Sequence, residues 1–197
     1  LCQGSAEMEA SNADPFPFRV ASIDALVISH AHIDHIGRVP LLVKRGFRGP
    51  IFAQQATADL MPIMLLDSAS LAESDAERFN RRRAHGEPER QPLYTKDDVA
   101  DAMEFVRPLA YDTRDAILAG IDINFRDAGH ILGSSIVELW ADGKKLVFSG
   151  DLGPTGTPIL RDPTPIGQAD LVLMESTYGD RNHKDRAETI IELGRIL

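Results

Sequence analysis

The sequence predicts an α/β layered fold, and three features carry that expectation. Short apolar runs rich in branched residues alternate with longer stretches of helical period. Asp142-Gly143 joins two of those runs and is a hairpin signal. Histidines and aspartates follow directly on several runs, where loops leave the ends of strands.

Taken in order, residues 23–28 (IDALVI) read as a buried strand. After Gly37, residues 39–44 read as a helix that stops at Gly46, and residues 50–53 as a second strand. A long helix is expected from Thr57, which can cap it, to about Ala84, with Leu60, Met64 and Leu71 as its apolar stripe. Met61, Met64 and Phe79 are expected in the core. Arg78, Arg81, Arg82 and Arg83, with Arg90, are expected to form a solvated face rather than a phosphate site. His85-Gly86-Glu87-Pro88 ends this helix. Thr95-Lys96-Asp97-Asp98 opens another, with Val99, Met103 and Val106 at helical spacing. Residues 117–125, 135–140 and 145–148 read as strands, Trp140 being expected to pack, and residues 171–174 as a further buried strand. Residues 184–197 read as an amphipathic helix.

With 197 residues, 43% hydrophobic and 26% charged, the chain suits one well-buried domain and a piece of another. No run approaches the ~20 apolar residues of a membrane helix. Leu1 to Ala10 carries Gln3, Glu7 and Glu9 where a secretory signal would be apolar. The single cysteine, Cys2, excludes an internal disulfide and a thiolate zinc knuckle, so any metal must be held by His, Asp or Glu. A reducing, cytoplasmic setting is expected. The formal net charge of −9 argues against a polyanionic partner. Two bound divalent cations would offset that by placing positive charge where such a substrate sits.

The chemistry concentrates in three places. In His30-x-His32-x-Asp34-His35, residues two apart on extended backbone point to one side, so His30 and His32 can grip one ion together. The turn that follows can aim Asp34 and His35 at a second ion. His130, in Asp127-Ala128-Gly129-His130, offers a further nitrogen between two strands. Asp151, in Phe148-Ser149-Gly150-Asp151, is delivered to a strand end, and its two oxygens can bridge two cations.

Taken together, this pattern resembles the metallo-β-lactamase superfamily, and the resemblance covers nearly the whole chain. It implies an αββα sandwich with metals at the sheet edge, here without the first strands and without the strands that return after an insert. Leu1-Cys2-Gln3-Gly4 resembles the tail of an early family stretch. By the same likeness His30, His32 and His130 bind one ion, Asp34 and His35 bind the other, and Asp151 bridges them. The ions are expected to be two divalent metals, zinc by preference, although the same ligands accept manganese.

A later segment, Glu175-Ser176-Thr177-Tyr178-Gly179-Asp180-Arg181 followed by His183, resembles the acidic motif of β-CASP nucleases. There the chain leaves the lactamase domain for an inserted one, as in cleavage and polyadenylation nucleases and ribonuclease J types. Residues 1–183 would then be the N-terminal part of the lactamase domain and residues 184–197 the start of the insert. Glu175 would be a catalytic-site carboxylate that orients a later histidine, with Asp34 as its companion catalytic group; His183 takes no assigned role. The implied activity is two-metal phosphodiester hydrolysis of single-stranded RNA in RNA processing, by endo- or exonucleolytic cleavage. No membrane partner is implied, and a homodimer is left open. A thioester or lactone hydrolase of the same fold, or a non-catalytic RNA- or partner-binding homologue, is the alternative.

Overall fold

Alternation along the first strands decides the layering. The computed structural model describes residues 1–197 apart from 183 and 185, so His183 lies outside the described residues. Its helices are α1 (Ala6–Ala10), α2 (Ile33–Ile36), α3 (Val39–Lys44), α4 (Gln55–Arg82), α5 (Lys96–Met103) and α6 (Arg186–Ile196). Its strands are β1 (Leu26–Ile28), β2 (Ile51–Gln54), β3 (Val106–Leu109), β4 (Arg114–Leu118), β5 (Ile121–Asp127), β6 (Ser135–Ala141), β7 (Lys144–Phe148) and β8 (Leu171–Leu173).

On β1, Leu26 and Ile28 turn to one side and Val27 to the other; on β2, Ile51 and Ala53 oppose Phe52 in the same way. With β3 these form a parallel sheet in which Leu26 pairs with Ile51 and Ile51 with Val106. Parallel neighbours need crossovers, and α3 supplies one while α4 and α5 supply the next. The first side of the sheet therefore meets helices, around Ile36, Phe47, Met61, Leu65 and Val99. The other side meets a second sheet of order β4-β5-β6-β7-β8, antiparallel as far as β7 and parallel at β8. Between the sheets Phe52 packs with Ile123, Phe125 and Val137. Ile136 and Val147 face outward beneath Leu152 and Ile166. Helices, sheet and sheet thus lie in layers, as the sequence predicts.

Several local expectations are corrected. Thr57 does not cap α4; the Gln54 side chain does, accepting from Ala56 N–H at 2.6 Å. The buried stripe of α4 is Thr57, Met61, Leu65, Ala69 and Ala76 rather than Leu60, Met64 and Leu71. Met64, Leu71 and Phe79 are exposed. Both stripes have helical period. Burial at roughly 1.5–3 kcal/mol per large side chain selects whichever face meets the sheet. Val106 leaves the predicted helical spacing and starts β3, whose hydrogen-bonding partner is 55 residues earlier at Ile51. Residues 117–125 are not one strand: Gly120, at φ +75°, turns β4 back into β5. β8 is exposed, not buried. Trp140 packs beneath Arg114, whose guanidinium stands 4.1 Å over its ring. Among the described residues no helix is long and apolar enough to cross a membrane.

The predicted start of α5 is a capping box, with Thr95 and Asp98 exchanging hydrogen bonds. Asp98 also accepts from Lys44 Nζ at 2.7 Å, tying α5 to α3. Burial pushes the Asp98 carboxyl up, but Lys44 and Thr95 outweigh it and hold it below the usual carboxylate range. Asp98→Ala is expected to destabilise the protein by about 1–2 kcal/mol at pH 7 in denaturant titrations. Because the folded carboxyl titrates below its unfolded counterpart, this contribution is fully present above about pH 4. It is lost as pH falls through the folded value, so the gap between variant and wild type should close on acidification.

Candidate metal centre

Three loops carry the predicted residues, and each leaves the C-terminal end of a strand: β1 leads to His30, β5 to His130 and β7 to Asp151. Their backbones meet before their side chains do. Ser135 N–H donates to Ser29 O at 2.8 Å. A Cβ on Gly150 would stand 2.9 Å from Ser29 Cβ and 3.0 Å from Ser135 O. Gly150 sits at φ +56°, which glycine adopts without strain. The loops therefore cross at Ser29, Ser135 and Gly150, and two of these three residues immediately precede a ligand candidate.

At the crossing, His30 Nε2 and His130 Nε2 lie 3.0 Å and 3.1 Å from His32 Nδ1. Asp151 Oδ2 is 3.6 Å from His30 Nε2 and 3.7 Å from His130 Nε2. The ligand atoms of these four residues all lie within 4.8 Å of one another. A tetrahedral ion with bonds of about 2.0–2.1 Å holds its ligand atoms about 3.3–3.4 Å apart. Four of the six separations straddle that value and the other two lie within 4.8 Å, so this donor set is close enough to hold one divalent ion.

Protonation favours the same use. Burial, then the neighbouring His35, His32 and His130, pushes His30 down to about 3. Burial and His32 hold His130 below its ordinary value against the pull of Asp151 and Glu175. Both rings are thus neutral near pH 7, with a lone pair to donate. Ser29 Oγ, 3.1 Å from His30 Nδ1, engages the other ring nitrogen and keeps Nε2 aimed inward.

Asp151 presents its second oxygen elsewhere. Oδ1 is 3.3 Å from His35 Nε2, which is 3.5 Å from Asp34 Oδ2. Asp34 and His35 belong to α2, whose turn brings the His35 ring back to His30, with centroids 4.0 Å apart. The His30 side chain is fully buried, whereas that of Asp34 is 54% exposed. The cluster is thus sealed at His30 and opens to solvent through Asp34.

The six ligand candidates predicted from sequence are therefore brought together. Glu175 stands apart from them and braces the Asp151 loop: Oε1 accepts Leu152 N–H at 2.6 Å, and Glu175 N–H donates to Ser149 Oγ at 3.0 Å. Burial raises its carboxyl, but N–H donors from Leu152 and Thr177 outweigh that and hold it below the usual range. Ser29, Thr57, Tyr111, Ser134 and Gly153 were not singled out as site residues by sequence reasoning. The run Gly133-Ser134-Ser135, small and polar after a candidate ligand, was the available signal for two of the loop contacts.

Comparison with known proteins agrees with this geometry. Residues 16–194 match the family model described as the metallo-beta-lactamase superfamily. The chain is 39% identical over 189 residues to ribonuclease TTHA0252 of Thermus thermophilus, covering 96% of this chain and 40% of that protein. It is 34% identical over 172 residues to transcription termination factor FttA of Methanosarcina mazei, covering 85% and 25%. It is 33% identical over 159 residues to an RNase J-like protein of Methanocaldococcus jannaschii, covering 80% and 32%. The chain thus spans between a quarter and two fifths of the length of these relatives. By its family match, its layered sheets and its histidine–aspartate cluster, the chain belongs to the metallo-beta-lactamase superfamily.

Proposed function

We propose that this chain forms the metal-binding portion of a phosphodiesterase that cleaves RNA with two divalent ions, zinc by preference. The observation that carries the reading is the split of Asp151: Oδ2 faces His30 and His130, while Oδ1 faces His35. A carboxylate so placed suits a bridge between two cations, with His30, His32 and His130 on one and Asp34 and His35 on the other. Such a pair, when bound, supplies an activated water near neutral pH and positive charge for a phosphoryl oxygen.

The chain's own residues do the rest. His30 and His130 are held neutral, and both turn Nε2 toward Nδ1 of His32. Asp34, solvent-exposed beside His35, lies on the open side of the cluster. Glu175 keeps the Asp151 loop in place and stays ionised, as suits a carboxylate that orients a partner arriving from later in the protein. The relatives named as a ribonuclease and an RNase J-like protein support RNA as substrate over a thioester or lactone. In this reading residues 184–197 begin the inserted β-CASP domain, and the protein works in the cytoplasm.

The test is metal analysis and an RNA-cleavage assay on the full-length protein. About two equivalents of divalent metal are expected, with cleavage abolished by chelation and restored by zinc or manganese. His32→Ala should lower kcat/KM by more than about 10³-fold, beyond the roughly 10–100-fold that loss of an outer hydrogen-bond partner costs. Cleavage that survives chelation undiminished would overturn the proposal.

A further inference from the structure

His130 is carried by the least regular of the three ligand loops. Residues 128–134 contain two glycines in the left-handed region, Gly129 at φ +64° and Gly133 at φ +83°. Such a stretch has little intrinsic stiffness, yet the structure sets the His130 ring 3.1 Å from His32 Nδ1. Something other than the loop's own backbone must hold it there.

The bonds that do so converge on one side chain. Ser134 Oγ accepts the N–H of His130 at 3.0 Å and the N–H of Ile131 at 3.2 Å. Ser134 N–H donates to Ile131 O at 3.0 Å, which closes the loop upon itself. Ser134 is completely buried. Its carbonyl accepts from Tyr111 Oη at 2.7 Å and from Ala128 N–H at 3.0 Å. One residue earlier, Gly133 O accepts from Thr57 Oγ1 at 2.7 Å and from Ser135 Oγ at 3.1 Å. The first turn of α4 is pressed so closely on this point that a Cβ on Gly133 would stand 2.4 Å from Thr57 N. Two segments distant in sequence, at Thr57 and Tyr111, thus clamp the peptide that carries His130.

We propose that Ser134 is a positioning residue for His130, acting through its Oγ on the His130 peptide, with Tyr111 and Thr57 holding Ser134 in turn. The inference rests on the metal reading above. A serine that merely closes a turn would affect folding alone. A positioning serine sets how well His130 meets the ion it shares with His30 and His32, and outer partners of this kind typically change metal affinity 10–100-fold.

The experiment is a Co²⁺ titration of the metal-free full-length protein, followed by its visible absorption, alongside thermal melting without metal. Ser134→Ala should weaken Co²⁺ binding roughly 10–100-fold and dim the tetrahedral absorption bands. Tyr111→Phe, which removes a single O–H and keeps the ring, should shift affinity the same way by a smaller factor. It keeps the test open if Ser134→Ala folds poorly. Asp98→Ala, remote from the site, controls for lost stability and should retain wild-type affinity. Wild-type affinity in both Ser134→Ala and Tyr111→Phe, or an equal loss in Asp98→Ala, overturns this inference while leaving the metal reading intact. A wild-type protein that takes up no Co²⁺ overturns both.

Discussion

Asp151→Asn is expected to empty both metal positions of the full-length protein and to reduce RNA cleavage by more than about 10³-fold, the largest effect of any conservative change in this chain. The substitution keeps the size and shape of the side chain. It removes the negative charge, and it replaces one of the two oxygens with an amide nitrogen that has no lone pair to offer. Those two oxygens are what divide the site, with His30 and His130 on Oδ2 and His35 on Oδ1. His35→Ala, by contrast, removes a donor from one side only. It should release about one equivalent of metal, while His30, His32 and His130 keep the other. Elemental analysis of the purified variants, together with initial rates on a single-stranded RNA, measures both effects. Two full equivalents of metal in Asp151→Asn would remove the bridging role.

Gly153→Ala should come second, although Gly153 has no side chain and touches the His130 loop only through its backbone, its N–H donating to Ala128 O at 2.8 Å. A Cβ there would stand 1.7 Å from Gly129 O, 2.2 Å from Gly129 C and 2.7 Å from His130 N. These are backbone atoms, so no side-chain rotation can relieve the clash. Gly129 has little room to retreat, because Arg161 O and Pro163 Cδ stand 2.7 Å and 2.8 Å from where its own Cβ would be. The displacement must pass into His130. Overpacking of this kind costs about 1–3 kcal/mol of stability. The shift of a ligand should also lower Co²⁺ affinity and RNA cleavage at least as much as the roughly 10–100-fold lost with an outer partner. Gly167→Ala is the matched control, since a Cβ there meets nothing within 4 Å. Melting temperature and Co²⁺ affinity in the two alanine variants separate the outcomes. Equal affinity in both would show that the His130 loop yields without harm.

Much of the candidate site was legible in the sequence because its parts are local. His30 and His32 are two residues apart on extended backbone, so their shared direction follows from strand geometry. The Thr95–Asp98 capping box was legible for the same reason, since its partners are three residues apart. Errors fell where one local pattern fitted two structures. Leu60, Met64 and Leu71 have helical period, and so do Met61, Leu65 and Ala69; only the sheet packed against α4 distinguishes them. Residues 117–125 are apolar enough for one strand, yet Gly120 at positive φ divides them, and pairing of Arg114 with Asn124 draws β4 into the sheet.

The sequence by itself determined the donor chemistry: neutral imidazoles and carboxylates, no thiolate pair, each placed at the end of an apolar strand. It also determined the alternation that sends Ile51 and Phe52 to opposite cores. The tertiary structure alone decided that His130 meets His32 across 98 residues, that Asp151 turns one oxygen to each donor set, and that Ser134, Tyr111 and Gly153 stand behind the ligands. The reason is the range of the forces involved. Backbone geometry relates side chains two to four positions apart, whereas convergence of separate loops depends on strand order and on the packing that draws two sheets together.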